Sequence, residues 1–246
     1  MKLFLTSSIG GSYKENGVRL PCALDNSNHF VDILREYWPV DAKCLILCSE
    51  PDNQALSDSF KMIFKEAFRI SKLSVLKMDI CDSRNEAILA SEIYDYDVLL
   101  LSGGHVPTQN EFFKRIHLKD LLKSYQGVII GISAGTMNCA DIVYAQPELD
   151  GEAIDPEYQR YLEGLDLTKI NVLPHFQEIK DYSLDGLRVL EDISFPDCKV
   201  RPFYALEDGS FIFVNDNKSV LYGEAYLIQD GILVKICDND KSITLT

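Results

Sequence analysis

The stretch VIIGISAGTMNCA, residues 128–140, decides how the chain is read. Val128, Ile129 and Ile130 form an apolar run that leads into Gly131-Ile132-Ser133-Ala134-Gly135. The run has the composition of a buried strand. Small and polar residues then lead into a helix carrying Met137 and Cys139. A serine between two glycines at a strand-to-helix turn is the pattern of a nucleophile elbow. The glycines serve it because the serine backbone is strained and its neighbours must approach closely. The turn aims the N–H of Ala134 at the substrate and sets a helix N-terminus beneath it, and both favour a developing oxyanion. A plain tight turn would also need small residues. The rest of the chain has to separate the two readings.

Upstream, short apolar runs alternate with longer amphipathic segments. KLFLT (2–6), KCLILCS (43–49), LSVLKM (73–78), DVLLLSG (97–103) and GVIIGI (127–132) read as five strands. Between them the spacing predicts helices over 28–37, capped by Asn26 or Ser27, and over 52–70, 84–94 and 110–125. The segment between the first strand and the first helix reads as a Gly/Ser/Asn-rich loop. In the helix over 52–70, Phe60, Ile63, Phe64, Ala67 and Phe68 recur on one face. This alternation predicts an α/β fold with a mostly parallel sheet and helices on both faces. CLILC, DVLLL and VIIGI are apolar throughout, as strands covered on both sides are. After about residue 196 the pattern turns to short strands with Gly and Asn-Asp turns. Asp208-Gly209, between YALE and SFIFV, reads as a hairpin turn. The C-terminal part is therefore expected to be a β-rich antiparallel extension of the same sheet. No repeat, low-complexity segment or linker interrupts the 246 residues, so residues 1–246 read as a single domain.

Composition narrows the function. Hydrophobic residues make up 46% of the chain and mean hydropathy is near zero. No apolar run approaches the roughly 18 residues of a membrane span, and MKLFLTSSIGG is too polar for a signal peptide. There are 38 acidic and 24 basic residues, a net charge of −14. That surface argues against nucleic-acid and anionic-membrane partners, which need a basic patch. Seven cysteines with no export signal read as reduced cytoplasmic thiols. Cys44 and Cys48 share a strand face without a Cys-x-x-Cys or histidine neighbour, so they read as buried small hydrophobes rather than metal ligands.

Three further places carry chemistry. Ser102-Gly103-Gly104-His105 ends a central strand, on the edge where open α/β sheets bind ligands. There the N–H of Gly104 is a candidate second oxyanion donor. A base for Ser133 must come from four histidines. His29 and His117 fall on charged helices, so the choice is His175, which follows Pro174 at the end of an apolar run, or His105 beside the glycine pair. The acid that orients the histidine has two candidate places. Before His175 stand Glu148, Asp150, Glu152 and Asp155; after it Glu207 ends an apolar strand.

Taken together, Gly131-Ile132-Ser133-Ala134-Gly135, Gly103-Gly104, Pro174-His175-Phe176 and Leu206-Glu207-Asp208-Gly209 resemble peptidase E. This is the aspartyl dipeptidase family of serine peptidases, related to cyanophycinase and, in fold, to class I glutamine amidotransferases. The resemblance implies a parallel sheet between helices. It also implies Ser133 as nucleophile, His175 as base, Glu207 as orienting acid, and the N–H groups of Gly104 and Ala134 as oxyanion donors. It implies no metal and no organic cofactor. Where the family has a Gly-Gly-Asn turn, this chain has Gly103-Gly104-His105. The loop after His175 carries Lys180 and Arg188 as its only cations, and with His105 these are the candidate contacts to substrate. The expectation is a serine peptidase acting on short peptides, Asp-X dipeptides among them. The alternatives are a serine hydrolase of isopeptides, amides or esters, and a non-catalytic relative that binds a small ligand.

Overall fold

Five of the apolar runs assemble side by side in one sheet of a computed structural model that describes residues 1–216 and 218–245. The first part of the chain runs β1 (Lys2–Thr6), β2 (Gly10–Glu15), β3 (Val18–Leu24), α1 (Phe30–Tyr37), β4 (Ala42–Leu47), α2 (Gln54–Ile70) and β5 (Val75–Cys81). It continues through α3 (Leu89–Glu92), β6 (Val98–Leu101), α4 (Val106–Arg115), α5 (Leu118–Leu122), β7 (Val128–Ile132) and α6 (Ala134–Met137). The next part holds β8 (Ile142–Tyr144), β9 (Tyr161–Glu163), β10 (Asn171–Leu173), α7 (Phe176–Ile179), β11 (Ser183–Leu184), β12 (Leu187–Arg188) and α8 (Phe195–Asp197). It closes with β13 (Phe203–Leu206), β14 (Phe211–Asn215), β15 (Lys218–Tyr222), β16 (Ala225–Gln229), β17 (Ile232–Cys237) and β18 (Ser242–Leu245).

The main sheet has the order β18-β15-β14-β1-β7-β6-β4-β5. From β1 to β5 all neighbours are parallel, and β14, β15 and β18 extend it antiparallel. Every residue of β6 and β7 is buried, which is why neither strand alternates apolar with polar. Helix α2 covers one face with Ile63, Phe64, Ala67 and Phe68, and the side chain of Asn53 caps it by accepting from the Leu56 N–H. Burying a phenylalanine such as Phe68 contributes about 1.5–3 kcal/mol. Asn26 performs the same service for α1, its Oδ1 accepting from the Val31 N–H at 2.8 Å. No helix among the described residues is long and apolar enough to cross a membrane. All seven cysteines are free, and burial pushes the thiols of Cys44, Cys48 and Cys81 up to about 12.

The structure corrects four local expectations. Residues 10–24 form a hairpin rather than a loop. Its Asn16-Gly17 turn has both φ angles positive, 49° and 80°, as a two-residue turn between twisted strands requires. The helix expected over 110–125 starts earlier, at Val106, and breaks at His117, which is left-handed at φ 53°. The segment over 84–94 is a short α-helix between two 3₁₀ turns rather than one helix. Asp208-Gly209 closes no hairpin, because β13 and β14 lie in different sheets. β13 belongs to a second sheet, ordered β10-β13-β16-β17, so the turn is a crossover. The C-terminal strands therefore extend the first sheet only in part.

Candidate active site

The carboxyl ends of β1, β4, β6 and β7 reach one edge of the main sheet, where they deliver Ser7, Ser49, Gly103-Gly104 and Ser133. Ser133 has φ 51° and ψ −114°, a conformation strained for any residue with a side chain. Its surroundings hold it there. The Ser133 N–H donates to the Thr6 carbonyl at 3.1 Å and its own carbonyl accepts from the Met137 N–H at 3.0 Å. The two flanking glycines are needed because the backbone packs too tightly for a Cβ. On Gly131 it would lie 2.7 Å from Thr136 Cα, and on Gly135 it would lie 2.1 Å from the Leu101 carbonyl oxygen. Gly135→Ala should therefore lower stability by about 3 kcal/mol or more, read as a fall in Tm. An unchanged Tm would contradict this close approach. The helix after the elbow, α6, spans only Ala134–Met137, so its dipole is small and the N–H of Ala134 is its chief contribution.

His175 stands between Pro174, after β10, and the buried Phe176 that opens α7. It is left-handed at φ 55°, which turns its ring back toward the elbow. Nε2 lies 2.9 Å from Ser133 Oγ, and Nδ1 lies 2.8 Å from Asp208 Oδ1. Ser7 ties the group together. Its hydroxyl accepts from the His175 backbone N–H at 2.8 Å and donates to Asp208 Oδ1 at 2.7 Å. Burial works against a charged imidazole at His175. The hydrogen bond to Asp208 and the nearby carboxylates outweigh it, so its pKa stands above 6.5. Burial likewise opposes a charged Asp208, yet hydrogen bonding to His175 and Ser7 and the charge of His175 hold its carboxyl below the usual range.

Asp208, not Glu207, meets the histidine. Strand β13 ends at Leu206, and beyond it the chain turns to cross between sheets. Glu207 enters that turn through its backbone, donating to the Glu224 carbonyl and accepting from the Ser210 N–H. Among the described residues its carboxylate has no hydrogen-bond partner, and Asp208 is the side chain aimed back at β10. None of Glu148, Asp150, Glu152 or Asp155 reaches Nδ1 either. His105 is engaged elsewhere: Nδ1 is 2.8 Å from Thr108 Oγ1 and Nε2 is 2.9 Å from Glu152 Oε1. Glu152 in turn accepts the N–H groups of Glu148 and Leu149, so His105 pins that loop rather than facing Ser133. Lys180 is exposed outside the cleft, and Arg188 is forked onto Asp192 on the surface.

Gly103 packs against Ser133, and Gly104 turns over Ser49 at φ 152°, where a Cβ would fall 2.2 Å from Ser49 Oγ. Among the described residues neither Gly104 nor Ala134 has a hydrogen-bond acceptor for its N–H. Ser133 and His175 form a wall common to two cavities. One, of about 470 Å³, is also lined by Gly103, Gly104, Phe60, Lys14 and Arg19. Lys14 and Arg19 face each other across the β2–β3 hairpin, and among the described residues neither forms a salt bridge. The Arg19 guanidinium lies 5.7 Å from the Phe60 ring centroid. The sequence reading missed both cations, although Asn16-Gly17 between them marks the hairpin that presents them. The second cavity, about 210 Å³, is lined by Gln146, Glu148, Glu178 and Tyr182. Among the described residues no three His, Cys, Asp or Glu side chains converge to hold a metal.

A serine on a strained elbow at the carboxyl edge of a parallel sheet, with an imidazole in reach, defines the class of α/β serine hydrolases. The model of peptidase family S51 matches residues 51–222, and the chain belongs to that family of serine peptidases. The matched span includes Ser133, His175 and Asp208 and begins after the β2–β3 hairpin. Among solved structures, the chain is similar to a 1.5 Å crystal structure of a Listeria monocytogenes EGD-e protein provisionally named peptidase E. The two are 15% identical with a TM-score of 0.57, covering 96% of this chain and 98% of that one, a likeness of fold. No curated protein matches the chain.

Proposed function

We propose that this serine peptidase hydrolyses short peptides through an acyl-enzyme on Ser133. The observation that carries the reading is the succession Ser133 Oγ, His175 Nε2 and Nδ1, Asp208 Oδ1, with links of 2.9 and 2.8 Å. His175 takes the serine proton as Oγ attacks the scissile carbonyl. Asp208 holds the imidazole in the tautomer with its proton on Nδ1 and stabilises the imidazolium that forms. The N–H groups of Gly104 and Ala134 receive the oxyanion, a reading supported by their lack of other acceptors. His175 then protonates the leaving amine, and water repeats the cycle on the ester.

Lys14 and Arg19 supply the cations that the loop after His175 does not. They suit an anionic substrate group, whether an aspartyl side chain or the carboxylate of a short peptide. The test is a panel of Asp-X, X-Asp and neutral dipeptides, run beside ester and amide probes. A fluorophosphonate is added and its site mapped. The expected result is labelling at Ser133 and turnover of dipeptides, with those carrying an extra carboxylate preferred. Turnover of esters alone would overturn the peptidase assignment. An unlabelled Ser133 would favour a ligand-binding relative.

A further inference from the structure

The smaller cavity beside Ser133 has a composition that the hydrolytic machinery does not use. Glu148 and Glu178 line it, Gln146 forms part of its wall, and no Lys or Arg is among its lining residues. Gln146 is only 5% exposed, and its Oε1 accepts no hydrogen bond among the described residues. A buried amide oxygen without a donor costs free energy, and such groups are rarely left so in folded proteins. Glu148 is accessible because it faces the open cavity, yet protein surrounds its carboxyl closely. That burial and the neighbouring Glu152 push it up to about 7, with His175 opposing. The loop bearing Glu148 is itself fixed, since Glu152 accepts the Glu148 and Leu149 N–H groups and is held by His105. The site thus gathers two carboxylates and an unpartnered amide oxygen, one carboxylate on a fixed loop, with no Lys or Arg among its lining residues.

One ligand class answers all of these demands. A primary ammonium offers three N–H donors and one positive charge. We infer that the cavity formed by Gln146, Glu148 and Glu178 binds the free α-ammonium of the peptide substrate, next to the scissile bond at Ser133. This rests on the hydrolytic reading of Ser133. The larger cavity supports it, because Lys14 and Arg19 line it and it shares the Ser133–His175 wall. A short peptide carries its ammonium and a carboxylate on opposite sides of the bond to be cut. The cleft offers acidic groups in one cavity and basic groups in the other.

Binding can be measured apart from turnover. Calorimetry on the Ser133→Ala protein would compare Asp-Leu and Ala-Leu with their N-acetyl forms. Each free amine should bind about ten- to hundredfold more tightly than its acetylated partner, as loss of a charged hydrogen-bonded contact predicts. Glu148→Gln or Glu178→Gln in that background should erase most of the difference. In the active enzyme the same two changes should raise KM for free dipeptides far more than they lower kcat. Equal binding of free and acetylated forms, or no binding of either at millimolar concentration, overturns the ammonium site. So does a preference that survives both substitutions. Failure of the wild type to label or turn over would instead sink the hydrolytic reading, since binding to the Ser133→Ala protein does not depend on it.

Discussion

Ser133→Ala should abolish peptide hydrolysis, with a fall in kcat of about 10⁴-fold or more, because among the described residues no other hydroxyl bonds to His175 Nε2 to take over. The fold should survive. Ser133 is half-buried, and among the described residues its hydroxyl bonds only to the half-exposed imidazole. A Tm within a few degrees of wild type is expected. A companion variant separates chemistry from conformation. At φ 51° and ψ −114° a Cβ is strained, and glycine relieves that at the cost of a more flexible unfolded chain. Ser133→Gly should therefore be as inactive as Ser133→Ala and more stable than it by about 1 kcal/mol. Measurable turnover by either protein on a good substrate would remove Ser133 from the mechanism.

The second large effect distinguishes two adjacent carboxylates. Asp208→Asn should lower kcat about 10²–10⁴-fold, since an amide no longer holds the Nδ1 proton or stabilises the imidazolium. Glu207→Gln should change kcat by no more than about twofold, as expected of a residue that joins its turn through the backbone. The reverse ranking would restore Glu207 as the orienting acid. The pH profile provides a second readout. The base must be neutral to accept the serine proton, and His175 in the wild type titrates above 6.5. Activity should therefore rise with pH through a value above that of an ordinary histidine. In Asp208→Asn the largest remaining influence on His175 is burial, which favours the neutral ring. The acid limb should then move to lower pH even as the plateau collapses.

The parts of this protein that could be read in the sequence are those where one local requirement dominates. Strands buried on both faces must be apolar throughout, so β4, β6 and β7 were plain, and so was the order of elements around them. The elbow was visible because two close backbone approaches admit only glycine at 131 and 135. His175 stood out because a proline and a large apolar residue frame it at a strand end. What stayed hidden depends on how the chain turns or on which sheet a strand joins. Glu207 and Asp208 are adjacent, and the choice between them rests on where β13 stops and the crossover begins. Asp208-Gly209 carries the residues of a hairpin turn, but the strands on either side find partners in different sheets. Lys14 and Arg19 lie far in sequence from every motif of the site. Only the Asn16-Gly17 turn announced the hairpin that brings them there, and the residues next to it, Lys14, Glu15, Val18 and Arg19, are all exposed and mostly charged, without the apolar alternation that marks a strand.

The pairing of β1 has a consequence for how the molecule forms. Its register with β14 joins Lys2 to Asn215 and Thr6 to Phe211, and Ser7 bonds to Asp208, 201 residues away. β1 is thus paired on both sides only after synthesis has passed β14, some 200 residues further along the chain. Until then one flank of β1 presents open N–H and C=O groups and the apolar side chains of Leu3, Phe4 and Leu5. The same late event brings Asp208 to His175. One closing step therefore both covers this open edge and seats Asp208 beside His175.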